Sequence, residues 1–238
     1  MSATASPDAP DRDCPRCARL VRFRGENRAQ FPLWHNAPVP SFGSIDARLL
    51  IVGLAPGLRG ANRSGRPFTG DFAGDLLFPS LVKHGFAAGE YAAGRDDGAW
   101  TGDRLVLKEA RITNAVRCVP PQNKPLPSEV RTCRPFLVAE IAAMVNLRAI
   151  LALGRVAHDA VLDTLGVGKR RFPFAHGALH RLPAALTMAD SYHCSRYNTN
   201  TGVLTPAMFE AVIARLGEMC LAPARRVGRT SGCGGEVE

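Results

Sequence analysis

Hydrophobic residues follow two different spacings along the chain. Four short apolar runs, bounded by Gly, Pro or polar residues, are typical of buried strands; they span residues 47–54, 111–116, 148–154 and 184–193. Apolar positions at helical spacing predict helices between and after these runs, over residues 71–87, 127–146, 155–165 and 205–219. This strand–helix alternation predicts an α/β fold, with a parallel sheet covered by helices on both faces.

The two ends of the chain differ in composition from the rest. Residues 1–12 are rich in Pro, Ala and Asp, and residues 222–238 are rich in Gly, so we predict a flexible tail at each end. No internal repeat divides the remainder. A length of 238 residues suits one domain with a sizeable core, which we place at residues 13–221.

Net charge indicates the kind of partner. The chain has 30 Lys and Arg against 21 Asp and Glu, a surplus of +9 that favours a polyanionic partner, although a basic surface can also serve solubility alone. No apolar run reaches the roughly 20 residues that a membrane span needs. The N-terminus also has no apolar signal-like region. We therefore expect a cytoplasmic, nucleoid-associated protein without membrane contact, and a monomer for want of a heptad run.

The cysteines favour metal binding over disulfides, because their number is odd and no secretory signal is present. Cys14 and Cys17 form C-x-x-C, which can hold a metal centre from one turn, while Cys118 and Cys133 lie far downstream. Four thiolates suit either tetrahedral zinc or an iron–sulfur cluster, and the spacing alone does not decide between them or exclude scattered thiols. The other three are better candidates for plain buried or tail thiols: Cys194, Cys220 and Cys233.

Two polar segments follow predicted strands, where ligands bind in open parallel sheets. Residues 53–74, GLAPGLRGANRSGRPFTGDFAG, contain small residues that allow a ligand close to the backbone, but they match neither common nucleotide-binding loop. Phe68 offers a flat face to a base. Asp71 is a carboxylate at a helix start, and taken by itself it is better interpreted as a plain N-cap. Residues 191–202, SYHCSRYNTNTG, contain His193 in an H-x-S-x-x-N pattern.

Taken together, these segments resemble the family 5 uracil-DNA glycosylases. The matching pieces run in family order over roughly residues 14–216: GLAPG with GRPFTGD, AVRCVPPQNKPLPSE followed by Cys133, LALGRVA, and SYHCSRYNTNTG. The related family 4 enzymes share the cysteines but carry an acid in the first motif and an H-P-S element. Here Leu54 stands in the acid's place and Cys194 in the proline's, so family 5 fits better.

The resemblance implies a fold, a cofactor and an activity. The fold is a three-layer α/β/α sandwich with a central four-stranded parallel sheet. The cofactor is a structural [4Fe–4S] cluster on Cys14, Cys17, Cys118 and Cys133. The activity is DNA repair by a monofunctional glycosylase. It flips uracil, or another deaminated base such as hypoxanthine or xanthine, out of DNA and hydrolyses the N-glycosidic bond. The abasic site that remains is the first product of base excision repair.

This reaction gives roles to the candidate residues. Phe68 would stack on the flipped base and Asn123 would hydrogen-bond its edge. Further contacts would come from the backbone at Gly53, Leu54 and Ala55.

Cleavage leaves negative charge on the base and positive charge on the sugar. We assign His193 to the leaving base, and Asp71 to the sugar cation or the attacking water. Whether Asp71 acts as a base or as an electrostatic stabiliser stays open.

Asn114 departs from the pattern that it resembles. Family 5 members often have an apolar residue here, whereas family 4 enzymes place a uracil-reading Asn at this position. An Asn114 that faces the pocket would sharpen the preference for uracil. The alternative is a strand-end Asn that bonds to the backbone.

Side chains beside these motifs are candidates for contacts with DNA. Three cations are expected to contact phosphates: Arg63, Arg66 and Lys124. Three residues after His193 are candidates for a wedge in the gap that a flipped base leaves, or for a plain surface loop: Ser195, Arg196 and Tyr197. Asn198, at the end of the same motif, is a further candidate for contact with DNA.

Two other functions stay open at this stage. One is a family 4-like glycosylase that is restricted to uracil. The other is a non-catalytic nucleic-acid-binding protein that zinc stabilises.

Overall fold

The structure is a computed structural model that describes residues 9–94 and 98–221. Its strands are β1 (Leu49–Gly53), β2 (Ala87–Ala88), β3 (Val106–Leu107), β4 (Ala110–Asn114), β5 (Ala149–Leu153), β6 (Leu179–Arg181) and β7 (Thr187–Ser191). Its α-helices are α1 (Ala18–Gln30), α2 (Ala61–Ser64), α3 (Phe72–Lys83), α4 (Pro127–Ala143), α5 (Arg155–Thr164), α6 (Arg196–Asn200) and α7 (Pro206–Cys220). Most of the two predicted tails, with Cys233, lies outside the described residues.

Four parallel strands form the centre of the main sheet, in the order β4-β1-β5-β7. They coincide with the four predicted strands, so the parallel sheet is confirmed. Strands β1 and β5 are buried at every position, because helices cover both faces, and this explains their unbroken apolar runs. Strand β6 was not predicted. It pairs antiparallel with β7 at the sheet edge, and its three residues are too few for a periodic signal.

Alternate residues of the central strands face two different helical layers. Leu49 and Ile51 of β1 pack in the cluster that contains side chains of α3 and α7. Leu50 and Val52 pack in the cluster that contains side chains of α4 and α5. The four predicted helices are therefore present and lie in pairs on the two faces, which confirms the α/β/α sandwich.

Helix α1 was not predicted from the sequence, because its buried face is largely polar. Leu20 packs with Val116 and Cys133, but Arg24 and Asn27 of the same helix are also buried. A helix that buries polar groups shows no clear apolar stripe in its sequence. This packing brings the N-terminal segment against the chain that follows β4.

The carboxyl ends of the parallel strands meet at one edge of the sheet. Gly53 at the end of β1 lies opposite Asn114 at the end of β4, and β7 ends two residues before His193. The long loops after β1 and β7 leave from this edge, where parallel sheets bind their ligands. Within the described ranges, no helix has both the length and the apolar character needed to cross a bilayer.

Candidate active site

A pocket of about 370 Å³ opens at the carboxyl edge of the sheet. Its walls come from the loop after β1, the end of β4, the turn at Pro121–Asn123 and the loop after β7. Nine of the predicted site residues belong to the lining: Leu54, Ala55, Phe68, Asp71, Asn114, Asn123, His193, Ser195 and Arg196. A pocket of this size suits a small ligand such as a nucleobase. Segments far apart in sequence are therefore brought to one cavity.

The absence of a side chain at Gly53 makes room for two side chains that line the pocket. A Cβ placed there would lie 2.4 Å from Asn114 Oδ1 and 2.7 Å from Phe68 Cζ. Both side chains can therefore fold over this glycine only because it has no Cβ. Asn114 lies beside the Phe68 ring and lines the pocket, which fits the interpretation as a base reader better than that of a strand-end Asn turned to the backbone.

Phe68 has an unusual backbone conformation for an aromatic residue. Its φ of 59° lies in the left-handed region, which bulky residues rarely adopt. Its ring centroid lies 6.1 Å from that of His193, and the two rings are inclined by only 26°. Strain of this kind persists where the surroundings hold it, and it is often found at ligand sites.

Arg66 belongs to the turn that carries Phe68. Its guanidinium makes a two-point ion pair with Asp103, and its Nε donates to Thr69 Oγ1 at 2.7 Å. It is also flanked by three aromatic rings: Phe42, Phe78 and Trp100. Arg63 is 3% exposed and donates to the backbone carbonyl of Arg59. Both side chains are buried and bonded within the protein, which does not favour the predicted contacts of Arg63 and Arg66 with phosphates. Those contacts stay a prediction.

Asp71 precedes α3 at the N-cap position, but its side chain makes no capping hydrogen bond to the helix. The carboxylate instead packs against the loop after β1. A Cβ at Gly57 would lie 2.5 Å from Asp71 Oδ1, and a Cβ at Gly60 would lie 2.0 Å from its Cγ. The plain N-cap interpretation therefore fails, since the carboxylate is turned towards the glycine loop and lines the pocket.

His193 follows β7 and faces Phe68 across the pocket. Burial lowers the pKa of His193 to about 4, so its imidazole is neutral at physiological pH. A neutral imidazole has one N–H to donate and one nitrogen to accept with. The ring can therefore act as a hydrogen-bond donor without carrying a positive charge into the pocket.

The loop after His193 is held by its own side chains. Asn198 Nδ2 donates to the carbonyl of His193 at 2.8 Å, and Ser195 Oγ accepts from the Asn198 backbone N–H at 3.4 Å. Ser195 and Asn198 thus fix the conformation of this loop. Their contact with DNA stays a prediction.

Two exposed groups stand at the pocket mouth. The Arg196 guanidinium lies 4.4 Å from the centroid of the half-exposed Phe72 ring, and Tyr197 next to it is 75% exposed. Lys124 is also exposed, beside Asn123. These positions are open to a large partner, so Arg196, Tyr197 and Lys124 stay candidates for contact with DNA.

The four predicted metal-ligand cysteines line one small cavity: Cys14, Cys17, Cys118 and Cys133. All four are free thiols. Arg24 reaches Cys118 Sγ at 3.7 Å, and the Arg117 backbone N–H donates to Cys133 Sγ at 3.4 Å. Burial is the largest cause of a raised pKa at three of these thiols, to about 11 at Cys17 and about 12 at Cys118. Metal binding would have to supply the positive charge that buried thiolates need.

Because the four thiols line the same cavity, one metal centre could take them together. Four thiolates suit either tetrahedral zinc or an iron–sulfur cluster. Cys194 and Cys220 are fully buried elsewhere, as expected of plain core thiols.

The His158–Asp190–His180 group was not anticipated, because its members are scattered along the sequence without a motif. Asp190 of β7 bonds His158 Nδ1 and His180 Nε2, each at 2.8 Å, and His158 Nε2 contacts the Phe172 carbonyl oxygen at 2.9 Å. All three side chains are buried. Because the donor atoms already bond one another, we interpret the group as an internal network that ties β6 and α5 to β7.

Comparisons of the sequence with known proteins give related enzymes over most of the chain. The sequence model of the Uracil DNA glycosylase superfamily matches residues 40–217. A type-5 uracil-DNA glycosylase of Thermus thermophilus is 43% identical over 84% of this chain and 90% of its own length. The type-5 enzyme of Mycobacterium leprae is 43% identical over 84% and 88%, respectively. A type-4 uracil-DNA glycosylase of Pyrobaculum aerophilum is 33% identical, but over only 54% of this chain and 55% of its own length.

Proposed function

The chain belongs to the uracil DNA glycosylase superfamily, and we propose that it is a monofunctional DNA-repair glycosylase. It would flip uracil, or another deaminated base such as hypoxanthine or xanthine, out of DNA and hydrolyse the N-glycosidic bond. The observation that carries this proposal is the convergence of Phe68, Asp71, Asn114 and His193 on one pocket. An abasic site would be the product, without cleavage of the strand.

Base recognition would rest on Phe68, Asn114 and Asn123. The Phe68 ring lies in the pocket, where a flipped base would stack on it, a contact worth on the order of 1–3 kcal/mol. A primary amide can both donate and accept, as the O4 and N3–H edge of uracil requires. Asn123 lies at the exposed rim, where it would contact the base as it enters. The backbone at Gly53, with Leu54 and Ala55, would form the remaining wall.

Bond cleavage would rest on His193 and Asp71. The base departs with negative charge on its oxygen, and the neutral His193 N–H would donate to that oxygen. The sugar gains positive charge, and the Asp71 carboxylate would stabilise that charge or orient the attacking water. Among the described residues that line the pocket there is no lysine, the usual amine for a covalent intermediate with the sugar. This supports hydrolysis by water alone.

A [4Fe–4S] cluster held by Cys14, Cys17, Cys118 and Cys133 is the second part of this proposal. The donor set is all thiol, free and clustered in one cavity. When bound, the cluster would supply structural cross-linking of these four points. Because the 118–133 segment also carries Asn123 and Lys124, the cysteines would anchor one wall of the pocket.

Three further features belong to the same proposal. Residues 13–221 would act as a single domain, since the superfamily match runs through residues 40–217 and α1 packs against it. The protein would work as a monomer, as each proposed site residue comes from one chain. With DNA as its substrate, it would act in the cytoplasm at the nucleoid.

The first test is a glycosylase assay on matched duplexes. Each duplex carries uracil, hypoxanthine, xanthine or the normal base at one position, and alkali then cleaves any abasic site. We expect alkali-dependent cleavage of the uracil duplex. Absence of cleavage on every deaminated base would refute the enzyme proposal and favour a nucleic-acid-binding protein.

Asn114→Ala should reduce uracil cleavage on the order of 10- to 100-fold, the loss expected when a base edge loses its polar partner. Hypoxanthine cleavage should fall less, because the larger purine places its edge at a different distance from the sugar. The measurement is kcat/KM on both duplexes, with Asn146→Ala, an exposed and remote amide, as the matched control. Equal losses on the two bases would remove Asn114 from base reading.

Cys118→Ser should remove the visible absorbance and most of the iron of the purified protein. It should also lower the melting temperature by roughly 10 °C, as a loss of a few kcal/mol does in a chain of this size. Cys220→Ser, which changes a buried thiol outside the quartet, should keep the visible absorbance and the iron. Colourless wild-type protein with one equivalent of zinc would contradict the iron–sulfur assignment.

A further inference from the structure

The turn that carries Asn123 has a strained backbone. Gln122 and Asn123 have φ values of 56° and 57°, so two consecutive residues with side chains lie in the left-handed region. Each such residue costs free energy and is kept only where neighbouring groups hold it. Two backbone hydrogen bonds lie within the turn. They run from the Asn123 N–H to the Pro120 carbonyl and from the Lys124 N–H to the Pro121 carbonyl, both at 3.1 Å.

A side chain from a distant helix also holds this turn. Arg19 lies in the first turn of α1, two residues after Cys17. Its Nη2 donates to the carbonyl of Lys124 at 3.1 Å, directly after Asn123. The same guanidinium donates to both carboxylate oxygens of Glu129, at 2.8 Å and 2.7 Å. Arg19 therefore bonds at once to the turn and to the helix that follows it.

Glu129 connects Arg19 to the backbone that follows the turn. It lies in the first turn of α4, and its Oε2 accepts from the Leu126 backbone N–H at 2.7 Å. Burial opposes ionisation of this carboxyl, but the hydrogen bonds from Arg19 and Leu126 outweigh it and hold its pKa below the ordinary value. Its side chain is 6% exposed, whereas that of Arg19 is 28% exposed. A two-point, largely shielded ion pair of this kind fixes geometry much better than an exposed pair does.

We propose that Arg19 and Glu129 are positioning residues that brace the Pro121–Lys124 turn and so set the place of Asn123 at the pocket rim. The brace starts two residues after one cysteine of the quartet and ends four residues before another, Cys133. The cysteine centre and the base-contacting turn are thus connected through one guanidinium. This inference rests on the proposed function, because Asn123 acquires its role there.

The first test measures the turn itself and needs no activity. Hydrogen exchange of the peptide that spans residues 121–126 is compared in the wild type, Arg19→Ala and Glu129→Gln, each with its metal content intact. We expect faster exchange in both variants. Arg22→Ala is the matched control, since Arg22 lies on the same helix in an exposed 3.9 Å pair with Glu26. Unchanged protection of this peptide in Arg19→Ala would overturn the proposal.

The second test asks whether the brace acts through Asn123. On uracil duplexes, Arg19→Ala should lower kcat/KM between about 10- and 100-fold, as a small misplacement of a contact group does. In an Asn123→Ala background the same change should have almost no further effect. Arg19→Lys keeps the positive charge, but one ammonium group cannot bond both carboxylate oxygens of Glu129 and the Lys124 carbonyl at once. The kcat/KM of this variant should therefore lie between those of the wild type and Arg19→Ala.

The outcomes of the two tests are separable. Effects of Arg19→Ala and Asn123→Ala that simply multiply would overturn the proposal, because independent residues behave in that way. Loss of iron or visible colour in Arg19→Ala, with normal exchange in Glu129→Gln, would also overturn it in favour of a role in the metal centre alone. An inactive wild type would refute the glycosylase proposal, while the exchange data would still decide on the brace.

Discussion

Replacement of His193 by alanine should lower the single-turnover rate on uracil-containing duplex DNA by about 10²–10³-fold. The reason is the place of the ring: it lines the pocket opposite Phe68 and is neutral, so it can donate to the oxygen on which the departing base gathers charge. DNA affinity should change little, because the ring lies inside the pocket and not on the outer surface. The rate is measured with enzyme in excess, and affinity by titration of labelled duplex.

His84→Ala is the matched control for this variant. His84 caps the C-terminal end of α3 and takes no part in the pocket lining. Weak DNA binding with a normal cleavage rate in His193→Ala would contradict the assignment. The protonation state can be checked directly, since the ring of the wild type should titrate by NMR near pH 4 and be almost entirely neutral at physiological pH.

Asp71→Asn should lower the same rate by about 10²-fold or more. Rate losses of this size are usual when an enzyme loses a positioned general base, or a charge that stabilises the opposite charge of the transition state. The two side chains have nearly the same size, so the packing against Gly57 and Gly60 should persist. Only the negative charge of the carboxylate is lost. This expectation holds whether the carboxylate orients water or stabilises the sugar cation, because both roles need it ionised.

The control for Asp71→Asn is Asp75→Asn, an exposed carboxylate one turn further along α3. It should cleave at close to the wild-type rate, and both variants should melt within a few degrees of the wild type. A full cleavage rate in Asp71→Asn would remove this residue from the chemistry. We would then look for the attacking water at the backbone of the loop after β1.

Gly60→Ala tests whether the position of the Asp71 carboxylate matters for cleavage. Its Cβ would overlap the Asp71 carboxylate, so this variant should displace the carboxylate without removing it. A loss similar to that of Asp71→Asn would show that the location of the charge matters, and not only its presence.

The strands and helices of the central layers were predictable because they are buried in a regular way. The strands β1 and β5 have apolar residues on both faces, and α3, α4, α5 and α7 show one apolar face each. Helix α1 and strand β6 were missed for opposite reasons. The first buries Arg24 and Asn27, and the second has only three residues at an edge.

The sequence indicated the residues that line the pocket where they follow strands, but it did not indicate which arginines of the same loop are buried. Phe68, Asp71 and His193 come after predicted strands, and the topology brings them to one edge of the sheet. Arg63 and Arg66 looked like surface cations in the same loop, although Arg66 is enclosed by Asp103 and three rings. The sequence around an arginine does not indicate that a carboxylate far along the chain will pair with it and bury it.

The sequence by itself determined the α/β class, the four parallel strands, the cysteine quartet and the motifs at the strand ends, because each depends on residues close together or on a repeating spacing. Only the tertiary structure decided that Asp71 does not cap its helix, that Asn114 lies over Gly53, and that Arg19 reaches Glu129 and the turn after Asn123. These contacts join residues that the fold alone brings together, so their physical cause lies in packing and not in local pattern.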